Sequence, residues 1–108
     1  MVQKKIIIYL DHNVLDFMTK DNTAKIKNWL LENNFTPVYS NETLKEINRS
    51  VGYEQDFLKL LEEISAKFLE PILDIKLKHT GQAKILCISP KVKYDEFLVN
   101  KWLIRHYL

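Results

Sequence analysis

The chain has 108 residues, 46% of them apolar and 28% charged, with two glycines and three prolines. That balance suits one globular domain with a single core and excludes disordered, collagen-like and low-complexity classes. The net charge of +2 hides an asymmetry: residues 1–75 hold nine Lys and Arg against twelve Asp and Glu, a balance of −3, and residues 76–108 hold seven against two, a balance of +5. A solvated lysine-rich surface is the commoner origin of such polarity; steering of a polyanion is the functional one. No apolar run approaches the length of a membrane span, and Met1–Leu10 lacks a signal-peptide apolar region, so a cytoplasmic location is expected.

In chain order, "KKIIIYL" is β-branched and continuously apolar from Ile6 to Leu10, which predicts a strand over about residues 4–10 that is covered on both faces. Asp11 stands where this strand emerges. Val14, Leu15 and Met18 then recur at helical spacing, so a short helix follows with Asp11 or Asn13 at its N-cap. Asp21 or Asn22 opens a second helix carrying Ala24, Ile26, Trp29, Leu30 and Leu31, which Asn33-Asn34 ends. "FTPVYS" predicts a second strand near residues 36–40, short because Pro37 lacks a ladder donor. Ser40 is a good N-cap for a helix with Leu44, Ile47 and Val51 on one stripe, and Gly52 supplies its stop. Phe57, Leu60, Leu61, Ile64 and Phe68 then fall at i, i+3, i+4, i+7 and i+11, the most regular helical stripe in the chain. A last helix-like run, "KYDEFLVNKWLIRHYL", begins with Asp95 and Glu96, acids that suit a helix N-terminus.

The order strand, helices, strand, helices favours parallel pairing, which brings the residues following both strands to one edge of the sheet. Asp11 and Glu46, far apart in sequence, are then expected to face one space. Two carboxylates there repel, and an oxygen-preferring cation, Mg²⁺ or Mn²⁺, relieves the repulsion while activating water. The bland alternatives stay open. Asp11 is among the preferred helix caps, and Glu46, three residues before Arg49, suits a solvated ion pair. Asp16 and Glu42 read as surface residues. Lone Cys87 reads as a buried structural thiol with no catalytic role.

"IYLDHNVLDFM" resembles the opening of PIN domains, where an apolar strand delivers an Asp followed two residues later by Asn or Ser. "PVYSNETLKEI" resembles that family's second motif, in which Ser or Thr opens a helix bearing an acidic residue. The resemblance spans roughly residues 4–68. It implies an α/β fold, a parallel-sheet α/β/α arrangement, small or incomplete, and metal-dependent hydrolysis of RNA phosphodiester bonds. By position, Asp11 and Glu46 would be the catalytic, metal-holding carboxylates, Asn13 would support the site around Asp11, and Ser40 would cap the helix presenting Glu46. Family members supply further acids from their second half, and His12 stands where they more often have a small residue. The whole chain, residues 1–108, is accordingly expected to be a single PIN-like domain, the N-terminal part of a larger one.

The C-terminal third carries its own expectations. Lys76, Lys78, Lys84, Lys91 and Lys93, with His79 and Tyr94 among them, suit either a basic surface or a phosphate track. Val99, Trp102, Leu103 and Tyr107 leave the last helix apolar on more than one side, so they are expected to stay partly uncovered or to meet a protein partner or a second copy. Two readings follow: a PIN-like metal-dependent RNA endonuclease, or a catalytically inactive module that binds RNA or protein.

Overall fold

The computed structural model describes residues 6–20 and 23–107, side chains excepted at 105–107. They form an α/β domain with four strands and five helices: β1 (Ile6–Tyr9), α1 (His12–Met18), α2 (Thr23–Glu32), β2 (Phe35–Tyr39), α3 (Asn41–Arg49), α4 (Glu54–Glu63), β3 (Lys67–Leu73), β4 (His79–Leu86) and α5 (Pro90–Tyr107). The strands lie in the order β1-β2-β3-β4. β1 and β2 run parallel, with Ile6 opposite Phe35 and Tyr9 opposite Val38; β2 and β3 are also parallel, and β3 and β4 form an antiparallel hairpin.

Parallel strands need helical crossovers to return the chain to the same edge, and two helix pairs provide them. The expected helix following Leu10 is α1, capped by Asp11. The second is α2; its proposed cap at Asp21 or Asn22 lies outside the described residues, and it ends where expected, with Asn34 in the left-handed region at φ 55°. Pro37 sits inside β2, but β3 joins only at Val38 and Tyr39, so the strand up to the proline has a partner on one side alone, where the missing donor is tolerated. Leu15, Met18, Leu30, Leu44, Ile47 and Leu61 are buried in one core with Tyr39 and Phe68. Val38 and Tyr39 point to opposite faces, and both are buried.

Several expectations change. β1 is an edge strand among the described residues, and it is not covered on both faces: Ile6 and Ile7, which alternate between the faces, are 54% and 51% exposed. Val51 leaves the α3 stripe and is 81% exposed, because the helix ends at Arg49. The α4 stripe does not run on to Phe68. Ser65, at φ 55°, breaks the helix, and Phe68 reaches the same core from β3. The β3–β4 hairpin has no local sequence signal; its turn is built by Asp74, whose Oδ1 accepts from the N–H groups of Lys76 at 2.8 Å and Lys78 at 2.9 Å. Cys87 is an exposed free thiol rather than a buried one. α5 begins at Pro90, a residue suited to a first helical turn, which puts Asp95 and Glu96 beyond that turn, away from the role expected for them. Val99, Trp102 and Leu103 are exposed as expected, while the expectation for Tyr107 concerns a side chain outside the described residues.

Candidate functional site

Parallel pairing of β1 and β2 sends both following residues to the same edge. Continuing their register by two residues sets Asp11 beside Ser40, so the N-caps of α1 and α3 are neighbours. Asp11 is extended, with φ −67° and ψ 154°. Its Oδ1 accepts from the His12 backbone N–H at 2.8 Å, and its Oδ2 lies 3.4 Å from the donating Asn13 Nδ2. Ser40 caps α3 in a capping box with Thr43, whose Oγ1 accepts from the Ser40 N–H at 3.1 Å. Such caps satisfy backbone donors that the first turn of a helix leaves unpaired.

One further side chain joins the two elements. The Tyr9 hydroxyl, at the end of β1, lies 3.0 Å from Ser40 Oγ and 3.2 Å from Thr43 Oγ1. It ties the strand that delivers Asp11 to the first turn of the helix that carries Glu46. Glu46 is three residues beyond Thr43 and four beyond Glu42, so the three share one face of α3. With Tyr9, Asp11, His12 and Asn13 they line an open depression of about 370 Å³.

Asp11, Asn13 and Glu46 therefore meet in one depression, and Ser40 sits beside it as a cap. Tyr9, Thr43 and Glu42 also line it; Glu42 is a surface residue as expected, whereas Tyr9 and Thr43 carry no role in the sequence analysis. The Thr43 signal was available: Ser40 followed three residues later by a hydroxyl residue is a variant of the capping-box spacing. Nothing local marks Tyr9, because its partners lie 31 and 34 residues away.

Both bland roles are present as well. Asp11 does cap α1, and Glu46 Oε1 accepts from Arg49 Nη1 at 2.7 Å. Glu42 pairs with Lys45 at 3.0 Å. These pairs are solvent-exposed, where an ion pair contributes at most about 1 kcal/mol, so a competing ligand displaces them at small cost. The donor set is carboxylate oxygen in an open, wet depression. That chemistry fits Mg²⁺ or Mn²⁺, since Mg²⁺ is commonly held by one or two carboxylates and keeps several waters. Among the described residues, however, no group of three or more His, Cys, Asp and Glu side chains is placed to hold a metal ion. His12 borders the depression with its ring against Phe57, centroids 4.8 Å apart, and its buried Nδ1 makes no hydrogen bond.

Compared with protein-family models, with curated proteins and with solved structures, the chain matches none. No helix among the described residues is long and apolar enough to cross a membrane.

Proposed function

We propose that the chain is a PIN-like, metal-dependent RNA endonuclease module with an α/β/α arrangement, acting in the cytoplasm, in which Asp11 and Glu46 hold Mg²⁺ or Mn²⁺. The observation that carries the reading is that Asp11 and Glu46, 35 positions apart and each following one of two parallel strands, both line one open depression. A bound divalent cation supplies Lewis acidity toward a phosphate oxygen and lowers the pKa of a coordinated water. The remaining work falls to the chain. The His12 N–H and the Asn13 amide orient the Asp11 carboxylate. Ser40 and Thr43, clamped by Tyr9, fix the start of α3 and with it the position of Glu46. Arg49, paired with Glu46 at 2.7 Å, carries a planar donor fork that would suit a phosphate oxygen.

The second reading is a catalytically inactive module that binds RNA, or that meets a protein partner or second copy through α5. It draws on the 2.7 Å Arg49–Glu46 pair and on the small number of carboxylates in the depression. Calorimetric titration of Mn²⁺ into the full chain and into Asp11→Asn, with cleavage of a labelled RNA followed in parallel, separates the two. Millimolar or tighter binding that Asp11→Asn weakens, accompanied by cleavage, is the expected result. Metal binding without cleavage favours the inactive module, and no binding at millimolar Mn²⁺ overturns the metal role of both carboxylates.

A further inference from the structure

A cleft of about 770 Å³ lies on a neighbouring face of α3, bounded by the β3–β4 hairpin and α5. Lys45 and Arg49 line it from α3, His79 from β4, and Lys93 and Lys101 from α5. Four permanent cations thus face one space against a single lining carboxylate, Glu42. Three of the four are already near acids: Lys45 pairs with Glu42 at 3.0 Å, Arg49 with Glu46 at 2.7 Å and Lys93 with Glu96 at 3.2 Å. Each of these acids is exposed, so phosphate oxygens replace them with little loss.

We infer that this cleft binds the phosphodiester backbone of a single-stranded polynucleotide and leads one end of it to the acidic depression. Spacing is the first support. Lys45 and Arg49 are anchored about 6 Å apart along α3, and Lys93 and Lys101 about 12 Å apart along α5. Two cationic rows therefore line one cleft, as a repeating polyanion requires. Rigidity is the second. The α5 row is anchored: Tyr94 Oη donates to Asn48 Oδ1 of α3 at 3.2 Å, and the Lys93 stem is held over the Phe68 ring, its ammonium 4.5 Å from the ring centroid and its side chain only 18% exposed. A charge fixed in this way loses little freedom on binding. Chemistry of the wall is the third, since Asn48 and Asn100 add hydrogen-bonding amides and Phe97 and Ile104 an apolar floor, a mixture that suits sugar and base as well as phosphate. The volume is that of a pocket for a small-molecule-sized ligand, a few nucleotides rather than a duplex.

Continuity with the depression comes through α3. Glu42 borders both openings, and Arg49 lines the cleft while its partner Glu46 lines the depression. The inference rests on the RNA part of the proposed function and on no metal; binding in the cleft needs neither Asp11 nor a cation, so the two ideas fail separately.

Fluorescence anisotropy with fluorescein-labelled U10 and dT10, on the full chain in EDTA, tests the cleft alone. Both strands are expected to bind, with log K falling against log salt by about 0.7 for each neutralised phosphate. Replacing Lys45 and Lys101 together by alanine should lower that slope by about 1.4 and weaken binding at least about tenfold at low salt, while the Lys45→Arg, Lys101→Arg pair retains it. Removing Lys76 and Lys84, which do not line the cleft, should change affinity less than about twofold; circular dichroism checks that each variant folds. Absence of binding at low salt overturns the inference. So does equal loss in the Lys76/Lys84 pair, which would mark a diffuse basic surface, or displacement of U10 by a polyglutamate of equal charge as readily as by unlabelled U10, which would mark an acidic-peptide site.

Discussion

The part of the molecule before β3 and the part from β3 onward are built on different terms. Of the fifteen buried core residues among those described, thirteen lie between Leu10 and Ala66, and Phe68 and Tyr94 come from later. The first part has two parallel strands joined by helices, a topology that closes its own core and fixes the acidic depression at one edge. The second is a hairpin whose β4 is exposed along nearly its whole length, followed by a helix with Val99, Trp102 and Ile104 facing water. Hydrophobic burial thus sets the geometry of the carboxylates, whereas the cationic residues of α5 are positioned by a few specific contacts, Tyr94 with Asn48 and Lys93 over Phe68.

The largest expected effect breaks that comparison if it fails. Leu61→Ala, at a fully buried position, should cost about 2–5 kcal/mol through lost burial and a residual cavity, whereas Val99→Ala on α5 should stay within about 0.5 kcal/mol. Urea unfolding of both variants measures it; equal costs would mean that α5 is covered in solution.

Next in size is Tyr39. It is fully buried, and its hydroxyl donates to the Ile88 carbonyl at 2.8 Å, stitching β2 to the segment before α5. Tyr39→Phe should cost about 1 kcal/mol. Burial, and then the negative charges of Glu96 and Glu62, hold its phenol well above the ordinary tyrosine value. In the unfolded chain that group ionises near about pH 10, so its contribution is fully present below that pH and is lost as pH rises beyond it, because the unfolded state releases the proton first. Tyr94 is shifted in the same direction, by burial and then by Glu54 and Asp95. Stability should therefore fall above about pH 10, and less steeply in Tyr39→Phe; thermal melts across that range provide the check.

How far the sequence discloses this division follows from where its signals are local. The run Ile6–Leu10, the cap residues Asp11 and Ser40 and the stripe of Leu44 and Ile47 each encode an element within a few residues, so the parallel pair was legible, and with it the edge at which Asp11 and Glu46 line one depression. The hairpin was not. "HTGQAKIL" lacks alternating apolar residues because β4 buries almost nothing, and its turn depends on Asp74 binding two backbone N–H groups. The α4 stripe overran because Phe57, Leu61 and Phe68 serve one core whether Phe68 stands on a helix or a strand, and the break rests on the left-handed Ser65. The same exposed surroundings explain why Cys87 is not buried. At the depression, the Glu46–Arg49 pair was readable from its three-residue spacing, but the cross-tie through Tyr9 depends on long-range register.

A smaller effect sharpens the account of the depression. Tyr9→Phe removes a hydroxyl shared between Ser40 and Thr43, at a cost of about 0.5–1 kcal/mol for a partly exposed neutral hydrogen bond. If that hydroxyl sets the distance between Asp11 and α3, Mn²⁺ affinity should fall by more than the same change at exposed Tyr53, for which Tyr53→Phe serves as control.

The claim that Asp11 and Glu46 serve one cation is tested most directly by a double-mutant cycle on Mn²⁺ affinity, with Asp11→Asn, Glu46→Gln and the two combined, read by calorimetry. Two ligands of one ion are coupled, so either single change should remove most of the affinity and the second should add little, leaving the combined loss well short of the sum. Losses that add, or a Glu46→Gln variant that binds Mn²⁺ as the parent does, would show that the two carboxylates act independently and would contradict the shared site.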